Sequence, residues 1–107
     1  MPRYCLRGRV RPEQVDEYRR VHTAVWPGML GALREAGWRN YSLFVGEDGA
    51  LVGYVETDGS DDLDTIQRRI QATSVNQEWQ RSVAALFASE GAPDQAWEVV
   101  PEVFHLD

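Results

Sequence analysis

Three aromatic side chains, each with a polar atom, recur every fourth residue near the amino terminus, at Tyr18, His22 and Trp26. On a helix, this spacing places a phenol, an imidazole and an indole along one face. His22 is the only histidine outside the last few residues, and imidazole is the side chain whose unperturbed charge changes between about pH 5 and 8. A proton-transfer group between flat aromatic surfaces suits a carbohydrate, which presents hydroxyls at its edge and C–H groups on its faces. The same stripe is also typical of an amphipathic helix that covers a sheet, so both interpretations stay open.

The size and composition of the chain favour one globular domain. It has 107 residues, of which 43% are hydrophobic and 26% are charged, an ordinary balance for a folded domain. We therefore expect residues 1–107 to form a single domain. The net charge of −6 disfavours nucleic acid or an anionic membrane as a partner, because both attract basic surfaces.

Cysteine content and hydropathy indicate the compartment. Cys5 is the only cysteine, so an intrachain disulfide is impossible and a zinc cluster is not expected. No segment reaches the length and hydropathy of a signal peptide or of a membrane span. The expectation is a soluble, cytoplasmic protein.

Hydrophobic periodicity and turn residues predict the order of the elements. The predicted elements are a strand at 3–10, a helix at 12–36 with a kink or short break at Pro27 and an end at Gly37, strands at 40–45 and 51–57 joined by a tight turn, helices at 60–70 and 74–89, and a last strand at 97–105. Ser60, and Ser74 paired with Gln77, supply the expected helix caps. The order βαββαβ predicts an α+β fold with a ferredoxin-like four-stranded antiparallel sheet and helices on one face.

In the predicted strands, apolar residues occur on both faces of the sheet, which indicates that the second face is also buried. In the last strand, one side carries Trp97, Val99 and Val103, and the other side carries Val100, Phe104 and Leu106. In the middle hairpin, apolar residues also occur on both sides: Tyr41, Leu43, Val45, Phe44, Leu51 and Val55. Helices can cover only one face, and the strands of an antiparallel sheet with one solvent-exposed face should show a stricter alternation of apolar and polar residues. We therefore expect a homodimer in which two sheets pack face to face. Ordinary surface hydrophobicity is the alternative explanation.

The order and spacing of several short segments resemble one protein family. The segments are Glu17-Tyr18 with His22, Trp26-Pro27, Gly37 with Asn40-Tyr41, Trp79, and the ending Glu102-Val103-Phe104-His105-Leu106. Together they span nearly the whole chain and are similar to the L-rhamnose mutarotase family. The resemblance implies a small, cofactor-free isomerase of the dimeric α+β-barrel type that acts on a monosaccharide.

The resemblance also implies roles for individual residues. His22 occupies the position of the family's proton donor, and Tyr18 and Tyr41 occupy those of sugar-contacting tyrosines. Trp79 matches the first of two adjacent tryptophans that contact the sugar. Gln80 stands at the second, where an amide replaces a large stacking face. This departure affects the expected identity of the sugar more than the expected reaction.

Mutarotation is chemically consistent with this set of residues. The α and β anomers of a reducing sugar exchange through ring opening, in which the ring oxygen gains a proton and the anomeric hydroxyl loses one. An imidazole can transfer such protons near neutral pH. The sequence has no phosphate loop, dinucleotide motif or metal-ligand spacing, so we expect no cofactor and no metal. Either Tyr18 or Tyr41 is the counterpart of His22 in proton transfer, or the two tyrosines only bind sugar hydroxyls. Glu56 and His105 are weaker acid–base candidates.

Three functions are compatible with the sequence. The first is an aldose mutarotase that acts on L-rhamnose or a related deoxysugar, with His22 as proton donor. The second is a different cofactor-independent enzyme that uses the same pocket for another small cyclic substrate, since a fold does not fix an activity. The third is a ligand-binding dimer without catalysis.

Overall fold

Four strands form one antiparallel sheet in the order β2-β3-β1-β4 in the computed structural model, which describes residues 1–89 and 91–107. The elements are, in chain order, β1 (Arg3–Arg9), α1 (Val15–Val21), α2 (Pro27–Ala36), β2 (Arg39–Val45), β3 (Ala50–Glu56), α3 (Leu63–Gln71), α4 (Ser74–Val83) and β4 (Glu98–Val100). The predicted α+β class and βαββαβ order are confirmed, with the second helical stretch in two pieces. None of the helices in the described part of the chain is long and apolar enough to cross a bilayer.

The predicted first helix is divided into two helices. After α1, His22–Ala24 form a short 3₁₀ turn, and Val25 and Trp26 leave the helical conformation, with ψ angles of 137° and 134°. Pro27 is the first residue of α2, and a proline disfavours helical backbone at the residue before it. The expected interruption at Pro27 is confirmed. The prediction that Tyr18, His22 and Trp26 share one helix face is wrong, because Trp26 lies outside both helices.

The N-caps of α3 and α4 differ from the predicted residues by two positions and one position, and α4 ends at Val83, before the predicted end at 89. Asp62, and not Ser60, caps α3, since its Oδ1 accepts a 2.7 Å hydrogen bond from the Thr65 amide. Thr73, and not Ser74, caps α4 by accepting from the Asn76 amide at 3.3 Å. Both caps are short oxygen-bearing side chains of the kind that helix starts prefer, and the sequence offers several within reach of each start.

The hairpin between β2 and β3 depends on one glycine. Gly49 has a φ of +89°, and a Cβ atom there would lie 2.1 Å from the carbonyl oxygen of Val10. The same backbone approach carries a hydrogen bond, because the Val10 amide donates to the Gly49 carbonyl at 2.8 Å. Glycine therefore fixes both the turn and its contact with the end of β1.

The helices cover one face of the sheet and enclose the hydrophobic core. The buried core side chains are Leu6, Val10, Val15, Tyr18, Met29, Ala36, Trp38, Leu51, Val55, Ile66, Ile70, Trp79, Val83, Leu86 and Phe87. The pairs Leu43–Gly53 and Val45–Leu51 place the apolar residues of both hairpin strands on this same face. The expectation that Leu51 and Val55 belong to a second apolar face is therefore wrong. Phe44 and Val52, which pair with each other, are the large hydrophobic residues of the hairpin on the open face.

The last strand is shorter than the prediction of 97–105. Only Glu98–Val100 pair with β1, and Pro101, which lacks an amide hydrogen, follows directly. Residues 101–107 have no regular secondary structure. Their large apolar side chains are exposed, at 97% for Val103, 77% for Phe104 and 80% for Leu106. We refer to residues 101–107 as the C-terminal tail.

Candidate active site

A cavity of about 360 Å³ lies between the helices and the covered face of the sheet. This volume is in the range of small-molecule sites. The residues predicted for the site all line this cavity: Tyr18, His22, Tyr41, Trp79 and Gln80. They come from α1, the turn after it, β2 and α4, so the tertiary fold brings together residues that lie far apart in the chain.

The imidazole of His22 is held by the backbone of the preceding turn. Its Nδ1 lies 2.7 Å from the carbonyl oxygen of Tyr18. Because a carbonyl oxygen only accepts hydrogen bonds, Nδ1 carries a proton and donates it. Nε2 is then the nitrogen that can exchange a proton with a ligand in the cavity.

Burial sets the protonation of His22. Loss of hydration lowers the pKa of the imidazole below its usual value near 6.5, and the smaller effect of the Tyr18 hydrogen bond opposes this shift. The neutral ring therefore predominates at pH 7, and its conjugate acid gives up a proton more readily than an exposed histidine does. Such a group can both receive and release a proton in one reaction cycle.

Aromatic rings hold the imidazole on two sides. The Tyr18 ring stacks on His22 with a centroid distance of 4.1 Å, and the indole of Trp79 meets His22 edge to face at 5.5 Å. Trp26 supports Trp79 in turn, at 5.0 Å and an interplanar angle of 90°. His22 and Trp26 of the first predicted helix therefore both contact Trp79. Trp26 does not line the cavity itself.

Tyr41 lies on the same face of β2 as Leu43 and Val45 and lines the cavity, next to a β-bulge. Arg39 pairs with Glu56 and Ser42 with Tyr54, so β2 has one extra residue in this interval. Asn40, within the bulge, has a φ of +47°. Burial raises the pKa of the Tyr41 phenol, a hydrogen bond with the Trp38 side chain opposes this shift, and the negative charge of Asp94 adds a smaller increase. Burial likewise raises the pKa of Tyr18. Both phenols therefore keep their protons at neutral pH and are hydrogen-bond donors.

Gln80 belongs to a polar chain of side chains at one end of the cavity. Its Nε2 donates to Oδ1 of Asn76 at 3.0 Å, and Nδ2 of Asn76 donates to Oδ2 of Asp94 at 2.8 Å. Asn76 and Asp94 are further polar residues of the cavity that were not predicted from the sequence. The spacing of Asn76 four residues before Gln80 was an available signal. No pattern in the sequence indicates that Asp94 reaches the cavity.

The weaker acid–base candidates lie outside the cavity. His105 belongs to the C-terminal tail, where its Nε2 lies 2.9 Å from Asp107. Glu56 is at the end of β3 and accepts hydrogen bonds from the Tyr54 hydroxyl at 2.6 Å and from the Asn40 amide group at 3.0 Å. Neither side chain lines the cavity that contains His22. Trp97, by contrast, does line it, as does the buried Trp38.

Comparison with solved structures identifies the fold. The structure of L-rhamnose mutarotase from Formosa agariphila superimposes with a TM-score of 0.79 over 100% of both chains, at 19% sequence identity. A protein from Mycobacterium tuberculosis superimposes less closely, with a TM-score of 0.58 at 17% identity over 98% of this chain and 97% of that one. At these identities the likeness establishes the fold alone.

Sequence comparison establishes the class of protein and then the family. L-Rhamnose mutarotase from Ligilactobacillus salivarius is 33% identical over 102 residues, which cover 92% of this chain and 91% of that protein. The enzyme of the same name from Oceanobacillus iheyensis is 29% identical over 99 residues, with the same coverage of each chain. These relatives place the chain among the sugar isomerases. More narrowly, the L-rhamnose mutarotase profile matches residues 3–106, and the chain belongs to that family.

Proposed function

We propose that this protein interconverts the α and β anomers of L-rhamnose or a related deoxysugar by acid/base-catalysed ring opening, with His22 as proton donor. The observation that carries the proposal is the placement of His22. Its Nδ1 is bound to the Tyr18 carbonyl, its ring is held against Tyr18 and Trp79, and it lines a cavity of about 360 Å³.

The proposed reaction consists of proton transfers and one reversible C–O bond cleavage. The protonated Nε2 of His22 donates to the ring oxygen O5 while the bond between C1 and O5 breaks. The anomeric hydroxyl loses its proton, and C1 becomes an aldehyde carbon. Rotation about the C1–C2 bond and reclosure in the reverse sense form the other anomer and return both protons. General acid–base catalysis of this kind contributes about 10²–10⁴-fold.

The cavity wall matches the two chemical sides of a deoxysugar. Tyr18, Tyr41 and Gln80 present hydroxyl or amide groups, which can bind the sugar hydroxyls. Trp79 offers an indole surface for the C–H groups of the ring. Apolar side chains such as Met29 and Leu33 line the same cavity and suit the methyl group of a deoxysugar.

A homodimer is part of the proposal. The C-terminal tail exposes Val103, Phe104 and Leu106, and the open face of the sheet exposes Phe44 at 60% and Val52 at 36%. A chain end with three exposed large hydrophobic side chains is typical of a contact surface. A second copy related by twofold symmetry would bring both kinds of surface to the interface twice, once from each subunit.

Saturation-transfer NMR of anomer exchange tests the proposed function. Saturation of the α-anomeric proton is followed at the β-anomeric proton, with and without protein, for L-rhamnose and for L-fucose. The proposal predicts acceleration of exchange for at least one of these sugars. Binding of a sugar without acceleration would favour the non-catalytic dimer, and the absence of both binding and exchange would favour an enzyme for another small cyclic substrate.

A further inference from the structure

Asp94 is a carboxylate in the wall of the cavity that contains His22. It lies in the 3₁₀ turn Pro93–Gln95, before β4, and is half-buried. Among the described residues that line the cavity, it is the one acidic side chain. His22 enters from the turn after α1, so the cavity has an imidazole and a carboxylate that come from two different segments.

A buried amide holds one oxygen of this carboxylate. Asn76 is only 2% exposed, and burial of an amide is unfavourable unless its polar atoms are hydrogen-bonded. Its Nδ2 donates to Oδ2 of Asp94, and its Oδ1 accepts from Nε2 of Gln80. These two bonds fix which way the Asn76 amide faces. They leave Oδ1 of Asp94 without a hydrogen-bond partner among the described residues.

The negative charge of Asp94 affects Tyr41, which lies on the sheet side of the cavity. It adds to the effect of burial in raising the pKa of Tyr41, whose ring lies on β2. The Tyr41 hydroxyl is protonated at neutral pH, chiefly because of its burial, and can donate to a sugar oxygen. Tyr41 and Asp94 both line the cavity, so both can contact a ligand bound there.

We propose that Asp94 is the catalytic base that accepts the proton of the anomeric hydroxyl while His22 protonates the ring oxygen. Asn76 is a positioning residue that acts through Asp94, and the Gln80 amide supports Asn76 in turn. The inference rests on the proposed mutarotase function and supplies the proton acceptor that ring opening requires.

The two groups balance the protons of the reaction. On ring opening, one oxygen of Asp94 takes the proton from O1, the bond between C1 and O5 breaks, C1=O1 forms, and O5 takes the proton from Nε2 of His22. On reclosure after rotation, O5 attacks C1 and returns its proton to His22, and O1 takes the proton from Asp94. Each group ends the cycle in its starting state, with no external reactant.

Anomer exchange of L-rhamnose in Asp94→Asn and Asp94→Ala tests the proposal. We expect a loss of kcat of about 10²–10⁴-fold in Asp94→Asn, with KM changed much less, because the base is lost and the shape of the site is kept. In Asp94→Ala, added formate should raise the rate in proportion to its concentration, after subtraction of the protein-free rate, since it supplies a carboxylate to the vacated space. A purely structural role for Asp94 would not produce this rescue.

Other results separate failure of this inference from failure of the proposed function. A kcat for Asp94→Asn within threefold of wild type, or an Asp94→Ala rate that does not respond to formate, overturns the role of Asp94 and leaves mutarotase activity intact. The absence of exchange in the wild-type protein overturns the activity itself. The variant Asn76→Ala is a second test of the role of Asp94. It should lower kcat about tenfold and remain folded by amide NMR, because it releases the carboxylate without removing it.

Discussion

The ring of His22 stacks on that of Tyr18 at 4.1 Å, and its Nδ1 is bound at 2.7 Å to the backbone oxygen of the same tyrosine. Tyr18 therefore fixes the histidine twice, through its side chain and through its main chain. The backbone bond selects the tautomer that leaves Nε2 for the cavity. These two contacts link the local structure of α1 to the chemistry of the site.

The first prediction concerns the titration of His22. Because burial lowers its pKa, the ring Cε1–H resonance should titrate with a midpoint below pH 6.5. The donor is the protonated form, so the rate of ring opening should fall as pH rises above that midpoint. NMR titration and the pH profile of anomer exchange should give the same midpoint. A His22 resonance that titrates above pH 6.5 would contradict the buried, tethered imidazole.

Trp79 and Trp26 should differ in their effects on sugar binding. Trp79 lines the cavity, whereas Trp26 packs against its outer side. Trp79→Phe should raise KM by roughly 2- to 12-fold, the equivalent of about 0.5–1.5 kcal/mol of aromatic contact. Trp26→Phe is the matched control and should change KM less than twofold. Equal effects of the two substitutions in the exchange assay would argue against direct contact of Trp79 with the sugar.

Gly49 and Gly31 should respond in opposite directions to alanine. At Gly49, with a φ of +89° and the Val10 carbonyl oxygen 2.1 Å from the new Cβ, alanine should destabilise the fold by roughly 3 kcal/mol or more. Gly31 lies inside α2 with open space around its Cα. Gly31→Ala should therefore stabilise the fold by about 0.5–1 kcal/mol. Urea unfolding with a fitted midpoint and slope measures both changes.

The C-terminal tail should control assembly. Phe104 is 77% exposed in the single chain, so Phe104→Asp should leave the fold of one subunit intact while placing a charge in the proposed interface. Sedimentation velocity at micromolar concentration should show a dimer for the wild type and a lower association state for the variant. Ser74→Asp adds the same charge at an exposed position of α4 and should stay dimeric. A wild-type monomer would refute the dimer.

The element order could be predicted from the sequence because its signals are local. Pro27 and Gly37 delimit α2, and Gly49 lies in the turn between β2 and β3. These signals depend on backbone geometry that a single residue type favours. The length of β4 was not predictable in this way, since the apolar alternation continues past Pro101 while pairing with β1 stops at Val100.

The site was only partly predictable for a similar reason. The pair Tyr18 and His22 lies within one turn of chain, and its proximity follows from helical spacing. Trp79 was added by family resemblance, and its contact with His22 depends on how α4 packs against the first helices. Asp94 reaches the cavity from an irregular segment, whose path depends on tertiary contacts such as the bond to the buried Asn76. No periodic pattern encodes such a path.

The central claim is that His22 transfers the proton that opens the sugar ring. It is tested most directly by saturation-transfer NMR of L-rhamnose anomer exchange, with the wild-type protein and His22→Gln at pH 6. The variant keeps an amide of similar reach in place of the imidazole, and its fold is checked by its amide NMR spectrum. We predict clear acceleration by the wild type and a loss of about 10²-fold or more in the variant. A folded His22→Gln protein that exchanges the anomers as fast as the wild type would contradict the account.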